Sequence, residues 1–247
     1  MKKTAVLLAC AAAFILGAGE KSAPVVSLEM VPQVIKDASA NNLPVSITRG
    51  QFLSAVEGPQ GKKALLFDAK KGLAFRKRAG GACVIVKGMK KFDFSKGFAL
   101  SVWYKFAADA PSNHGLDLAA TAAGSKGPGF RITYDYSTWR WLTGDGKTFK
   151  VLATSKSKTP LAKDVWTHLV LSFDGKTAKI YLNGELAVES APGETFPLTN
   201  GEDFLSIGAY SRGYYYYFDG AIADVKVYNR PLEPAEIIGE AQELDEL

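Results

Sequence analysis

The stretch WTHLVLSFDGKTAKIYLNGEL, residues 166–186, decides how the rest of the chain is read. Leu169, Leu171 and Phe173 recur at every second position, the period of a strand with one apolar face. Asp174-Gly175-Lys176-Thr177 then turns the chain, because an Asp-Gly pair accepts the positive φ that a tight hairpin needs. Ala178 to Leu182 returns as the partner strand. Asn183-Gly184 is a second turn of the same chemistry, and Glu185 to Ser190 follows as a third strand. The segment therefore encodes an antiparallel meander.

The same alternation continues on either side. Phe98 to Phe106 places Leu100, Val102, Tyr104 and Phe106 on one face and Ser101, Trp103 and Lys105 on the other, which predicts a half-buried strand. Ala64 to Phe67, Phe130 to Tyr136, Phe149 to Thr154, Leu205 to Ala209 and Ala221 to Tyr228 are further strands. Two segments favour helix. Val31 to Ser39 predicts a short one. Glu233 to Leu244 predicts another, with Pro234 in its first turn, acidic residues at its N-terminal end, and Ile237 and Ile238 to pack on the body. Short strands separated by Gly, Asp and Asn turns specify an all-β, antiparallel β-sandwich with a short C-terminal helix, not alternating βαβ units. The chain divides into a leader at 1–19, one domain at 24–240 and an acidic tail at 241–247, with no internal repeat.

Composition narrows the class. The 247 residues are 47% apolar and 22% charged, as in a globular protein and unlike a disordered one. Lys2 and Lys3 are the only charges before Glu20, and Glu233, Glu236, Glu240, Glu243, Asp245 and Glu246 close the chain without a base. Residues 20–232 thus hold 28 basic against 19 acidic residues, a body of +9. Such a body attracts polyanions. The lysines form no dense run and no nucleic-acid fold signature accompanies them, so nucleic acid is not the expected partner.

The leader has a positive start, an apolar run from Ala5 to Leu16 and the small residues Gly17, Ala18 and Gly19. It reads as a secretory signal peptide cut near Ala18 or Gly19, which predicts an exported protein: periplasmic, extracellular or on the cell surface. Leu7-Leu8-Ala9-Cys10 offers an alternative, since it resembles the acylation site of bacterial lipoproteins. No later apolar stretch is long enough to span a bilayer. With the leader removed, Cys83 is the only thiol, so no intrachain disulfide forms and stability must come from a large core. Its apolar surroundings, Ala82 to Val86, suit a buried inert thiol.

Residues 166–186 as they stand resemble the central hairpin of laminin-G-like domains, within the concanavalin A-like lectin/glucanase superfamily. Leu205-Ser-Ile-Gly208 and the run from Phe218 through Asp224 to Leu232 look like its closing strands, and Glu236-Ile237 like its terminal helix. Phe94 to Lys105 and Leu66-Phe67-Asp68 fit strands upstream. Asp37-Ala-Ser39-Ala-Asn41-Asn42 is similar to the family's entry loop but lacks both of its glycines. The resemblance covers about residues 25–240. It implies a jelly roll, two antiparallel sheets stacked ~10 Å apart.

The superfamily includes glycan hydrolases, which carry two carboxylates ~5–5.5 Å apart. The pattern Glu-x-Asp-x-x-Glu appears on no predicted strand; its nearest imitation, Glu243-Leu-Asp245-Glu246, lies in the tail. His114 sits in a loop and His168 in the structural hairpin, so the chain is not expected to be an enzyme. No cofactor is implied except calcium, which jelly-roll lectins often hold through loop carboxylates. Asp37, Asp219 and Asp224 are its candidate ligands here. Sugar recognition instead calls for exposed aromatic rings with polar groups beside them. Tyr134, Tyr136, Trp139 and Trp141 surround Asp135 and Arg140; Tyr210, Arg212, Tyr214 and Tyr216 belong to a second cluster, Tyr210 to Tyr217. If that run is extended, Tyr215 and Tyr217 point away from Tyr214 and Tyr216. The expected function is a secreted, non-catalytic, lectin-like module for a glycan or polysaccharide, anionic by the charge of the body. The alternatives are a module that binds a protein partner, and a carbohydrate-active enzyme without the usual motif.

Overall fold

The computed structural model describes residues 23–31, 34–70, 80–110, 115–123, 127–154, 162–191 and 201–242. The leader with its Cys10 alternative, His114, and residues 243–247 of the tail lie outside the described residues. Sixteen strands occur among those described: β1 (Val26–Glu29), β2 (Lys36–Asp37), β3 (Val45–Thr48), β4 (Leu53–Glu57), β5 (Lys63–Phe67), β6 (Cys83–Lys87), β7 (Phe98–Phe106), β8 (Leu116–Ala120), β9 (Gly129–Asp135), β10 (Thr138–Gly144), β11 (Phe149–Thr154), β12 (Thr167–Phe173), β13 (Ala178–Leu182), β14 (Glu185–Glu189), β15 (Phe204–Ile207) and β16 (Gly220–Tyr228). The helix α1 (Pro234–Gln242) follows β16 and takes in the first two residues of the expected tail.

The strands form two sheets. One runs β14-β13-β12-β7-β16-β1-β2, with β5 also on β16 and β4 on β5; the other runs β11-β10-β9-β8-β15-β6-β3. The meander read from the sequence forms β12 to β14, with Leu169 opposite Leu182 and Phe173 opposite Ala178. Its first turn closes because the Asp174 carboxylate accepts the N–H groups of Lys176 and Thr177 at 2.8 and 2.7 Å. At the second, Asn183 adopts φ 50° and its side-chain oxygen accepts the His168 N–H at 2.9 Å.

The core lies between the sheets. Leu100, Val102, Tyr104 and Phe106 of β7 meet Phe130, Ile132 and Tyr134 of β9 and both tryptophans of β10 in one buried cluster. Each large side chain buried there contributes roughly 1.5–3 kcal/mol. Cys83 is buried, and burial pushes its thiol up to about 12, which keeps it protonated and inert.

Two expectations change. The described residues of Val31 to Ser39 are not helical: Lys36–Asp37 is a strand paired to β1. The buried Asp37 carboxylate accepts from the N–H groups of Ser27, Ser39 and Leu43 and from the Ser39 hydroxyl. A ladder plus four hydrogen bonds outcompetes a weak local helix preference.

The second change is that β7 is buried on both faces, not one. Its outer face is covered in two parts: α1 lies over Ala99 and Ser101, its Ile237 packing with Ala99, Val170, Tyr181, Tyr228 and Leu232 while Ile238 stays 41% exposed, and Ala64, Ala223 and Trp166 pack on Trp103. Beneath the helix, Glu240 accepts the Tyr228 hydroxyl at 2.6 Å and the Ser101 hydroxyl. Ser101 Oγ also lies 2.8 Å from His168 Nε2. The single Ser101 proton goes to Glu240, so His168 Nε2 supplies the N–H and its ring is neutral. Trp103 stacks on that ring at 4.9 Å.

Burial lowers the His168 pKa from 6.5 to about 4. The lowered value means that this stability is present above about pH 6.5 and lost as pH falls toward about 4. Between those limits the loss is about 3 kcal/mol as an upper figure. His168→Gln keeps an N–H near Ser101 but cannot titrate. Urea unfolding at pH 7 and pH 4 is expected to show a smaller pH-dependent loss in the variant than in the wild type; equal losses contradict the assignment.

Candidate functional site

The loop joining β15 to β16 is closed at its base by two hydrogen bonds, Gly208 N–H to Leu118 O at 2.9 Å and Phe218 N–H to Gly208 O at 2.8 Å. Only glycine fits at 208, where φ is 82° and a Cβ would stand 2.3 Å from the Phe67 ring. Beyond it the chain folds back on itself. Tyr210 N–H donates to Tyr215 O at 2.9 Å, and the N–H groups of Gly213 and Tyr214 donate to Tyr210 O, each at 3.1 Å. Ser211, Arg212 and Tyr216 hold φ of 51°, 60° and 52°, a left-handed conformation that is costly for residues with side chains.

The tyrosine run is therefore not extended, and its side chains do not alternate. Tyr214, Tyr215 and Tyr216 all face outward, 63%, 59% and 49% exposed. Their rings stand side by side, with centroids 6.5 and 6.4 Å apart and planes tilted by 44° and 51°. Tyr217 alone turns inward, where its hydroxyl donates to Gly213 O at 2.6 Å. Tyr215, expected on the opposite face, joins the exposed group.

Two arginines from the body hold this loop. The Arg131 guanidinium of β9 lies between the rings of Tyr210 and Tyr216, 4.7 and 4.2 Å from their centroids. Asp117 of β8 fixes it from the edge, accepting from Nε at 2.5 Å and Nη2 at 2.7 Å. The Asp117 N–H also donates to Tyr216 O at 3.0 Å. Burial pushes the Asp117 carboxyl up and Arg131 opposes it. Burial likewise pushes the Tyr210 hydroxyl up to about 12, so it remains a neutral phenol. From the other side, Arg49 Nη1 donates to Gly213 O at 2.7 Å and to the Tyr217 hydroxyl at 3.1 Å. Arg212, half-exposed, rests on Phe204 at 4.6 Å and lies 3.6 Å from Glu202.

The other aromatic cluster is dispersed. Tyr134, Trp139 and Trp141 face the interior of the sandwich, 3%, 2% and 0% exposed. Trp139 and Trp141 pair across the ladder with Tyr134 and Ile132, so their indoles share the inner face with those residues. Trp139 Nε1 donates to the Tyr104 hydroxyl at 3.0 Å, and Trp141 packs against Phe98 and Phe173. They are core residues, and a ligand outside the sandwich does not meet them. Tyr136 is 74% exposed in the β9–β10 turn. It lies roughly 15 Å along the strand direction from Arg131 by the rise of a strand. Arg140 faces outward and bonds Asp135 at 3.2 Å.

The calcium candidates do not converge. Asp37 is filled by its four hydrogen-bond donors. Asp219 lies 3.6 Å from Lys70, and Asp224 lies 3.0 and 3.4 Å from Lys62 and Lys226. Among the described residues no three His, Cys, Asp or Glu side chains are grouped to hold a metal. These three carboxylates do not fit a shared calcium site.

Residue types scanned singly did not point to Arg131, Asp117, Arg49 or Tyr215. The available signal was a charge at an outward position in each of two apolar strands, Arg131 between Phe130 and Ile132 and Asp117 between Leu116 and Leu118. Ser101, His168 and Glu240 also meet without a sequence signal. Ser101 is only 1% exposed, and Glu240 contacts its hydroxyl, so the trio ties α1 to the sheet and presents no accessible nucleophile.

A family model described as the Concanavalin A-like lectin/glucanases superfamily matches residues 78–238. No curated protein matches the chain. Among solved structures, the receptor binding domain of botulinum neurotoxin C/D mosaic serotype is similar, with a TM-score of 0.66 and 14% identity, over 90% of this chain and 51% of that one. The binding domain of paraclostridial mosquitocidal protein 1 has a TM-score of 0.65 and 17% identity, over 90% and 52%. The ligand binding domain of botulinum neurotoxin serotype D, solved with N-acetylneuraminic acid, has a TM-score of 0.65 and 14% identity, over 90% and 51%. The chain thus spans about half the length of these structures, and the likeness is one of fold. No helix among the described residues is long and apolar enough to cross a membrane.

Burial separates the two aromatic groups experimentally. Trp141→Ala is expected to cost about 3–5 kcal/mol of stability. Tyr215→Ala is expected to cost under about 0.5 kcal/mol. Denaturant unfolding of both variants checks the pair; a large loss from Tyr215→Ala contradicts its exposed placement.

Proposed function

We propose that this chain, which belongs to the concanavalin A-like lectin/glucanases superfamily, is a non-catalytic module that binds glycans through the Tyr210–Tyr216 loop. One observation carries the reading: three neighbouring tyrosine rings are exposed on a loop that two arginines hold in a costly conformation. A ring face stacks on the C–H face of a sugar, and the hydroxyl gives a hydrogen bond at its edge. Strained residues held by their surroundings favour a preorganised site, which reduces the ordering cost of binding.

The ligand class is an anionic glycan. The +9 body supplies the attraction; at the loop itself Arg131 and Arg212 are each paired with a carboxylate, Asp117 and Glu202. The structure solved with N-acetylneuraminic acid makes an acidic sugar a reasonable first probe, although the likeness concerns fold. Residues 1–19 support export of the mature chain to the periplasm, cell surface or medium, where polysaccharides are met.

A glycan array and affinity electrophoresis on residues 20–247 are the test. The expected result is saturable binding that weakens as salt rises from low to high ionic strength and that is weakened about two- to tenfold in the Tyr215→Ala variant. Saturable binding that neither salt nor that substitution alters contradicts both the charge and the site. Failure to bind any glycan returns the exposed rings to the protein-partner alternative.

A further inference from the structure

We infer that the tyrosine loop grips a single, soluble glycan chain that turns along its length and is unsuited to the flat face of a crystalline polysaccharide. This rests on the glycan-binding reading and adds the physical form of the ligand.

The inference comes from ring geometry. Flat polysaccharide crystals present coplanar sugar faces, so a protein that binds them needs rings lying in one plane. Here neighbouring planes are tilted by 44° between Tyr214 and Tyr215 and by 51° between Tyr215 and Tyr216. A flat face that stacks on one ring then meets its neighbours obliquely, at 44° and 51°, and cannot lie flat on them. Centroid separations of 6.5 and 6.4 Å let different sugars of one chain each meet a different ring. The sugar faces must rotate from one residue to the next, as they do in a helical chain in solution.

The tilt is built into the backbone. Tyr216 holds φ 52°, its carbonyl accepts the Asp117 N–H at 3.0 Å, and its ring rests on Arg131 at 4.2 Å. Flattening the three rings requires Tyr216 to leave Arg131. Arg131 is already fixed by two bonds to Asp117, so the angle is resisted from below. Charge points the same way. The body of the chain carries +9, and an acidic chain in solution is accessible to it, whereas crystalline cellulose and chitin carry no carboxylate.

The experiment compares forms of ligand using the mature chain. Soluble probes are alginate, polygalacturonate and the neutral glucan laminarin; insoluble probes are microcrystalline cellulose and chitin. The expected result is retarded migration in gels containing alginate or polygalacturonate and no depletion by either crystalline solid. Tyr214→Ala, Tyr215→Ala and Tyr216→Ala are each expected to weaken soluble binding about two- to tenfold. Depletion by cellulose or chitin at affinities matching the soluble chains overturns this inference and leaves the glycan-binding reading standing. Binding to laminarin as strong as to the acidic chains overturns the part that rests on charge. Binding to none of the five overturns the glycan-binding reading, and this inference with it. Circular dichroism of each variant separates lost contacts from lost folding.

Discussion

The structure depends on the contact between the inner faces of β7, β9 and β10. Phe98 meets Phe130 at 4.8 Å, Tyr104 meets Trp139 at 5.1 Å, and Phe106 meets Tyr134 at 5.1 Å. These aromatic pairs join the two sheets, and each adds about 0.5–1.5 kcal/mol beyond the area it buries. Because side chains alternate along a strand, committing Phe130, Ile132 and Tyr134 to the interior commits Arg131 and Thr133 to the outside. The position of the guanidinium beneath the tyrosine loop is therefore a consequence of core packing. A register slip of one residue in β9 would bury Arg131 and remove the loop's support at the same time.

The loop cannot hold its shape from local preference alone. Three of its non-glycine residues sit at positive φ, at a cost of order 1–3 kcal/mol each. The compensation is tertiary: Arg131 between two rings, Asp117 at its edge, Arg49 against Gly213 and Tyr217, and the glycine at 208 against Phe67. On the other side of the molecule, α1 covers part of the outer face of β7 through Ile237 and Glu240. One sheet thus has its outer face capped, while the other carries Arg131, Arg140 and the tyrosine loop toward solvent.

The division between what could and could not be read from the sequence has a physical basis. Strands β7, β11 and β13 lie where two-residue alternation puts them, because that signal is local and the turns between strands name themselves. The cover over Ser101 comes from a helix more than a hundred residues later, and that over Trp103 from Ala64, Ala223 and Trp166, which no strand pattern reveals. Val31 to Ser39 misleads because its helix preference is weak and Asp37 has better partners across the ladder. Trp139 and Trp141, expected at the ligand, lie in the core; the signal for this was in Trp139-Arg140-Trp141, where the arginine between them sends both indoles to the face away from charge. The tyrosine run was not legible. Its shape is imposed by Arg131 and Arg49, which lie far away in sequence, and nothing in four consecutive tyrosines signals a left-handed Tyr216.

The central claim is that ligand contacts gather on the Tyr210–Tyr216 loop over the Arg131–Asp117 pair. Amide chemical shifts of the isotope-labelled chain, followed while a soluble acidic oligosaccharide is titrated in, test this most directly. The account predicts saturable shifts confined to the loop, to Asp117 and to Arg131. Shifts centred instead on the Tyr136 turn, or on the sheet face beneath α1, would contradict it.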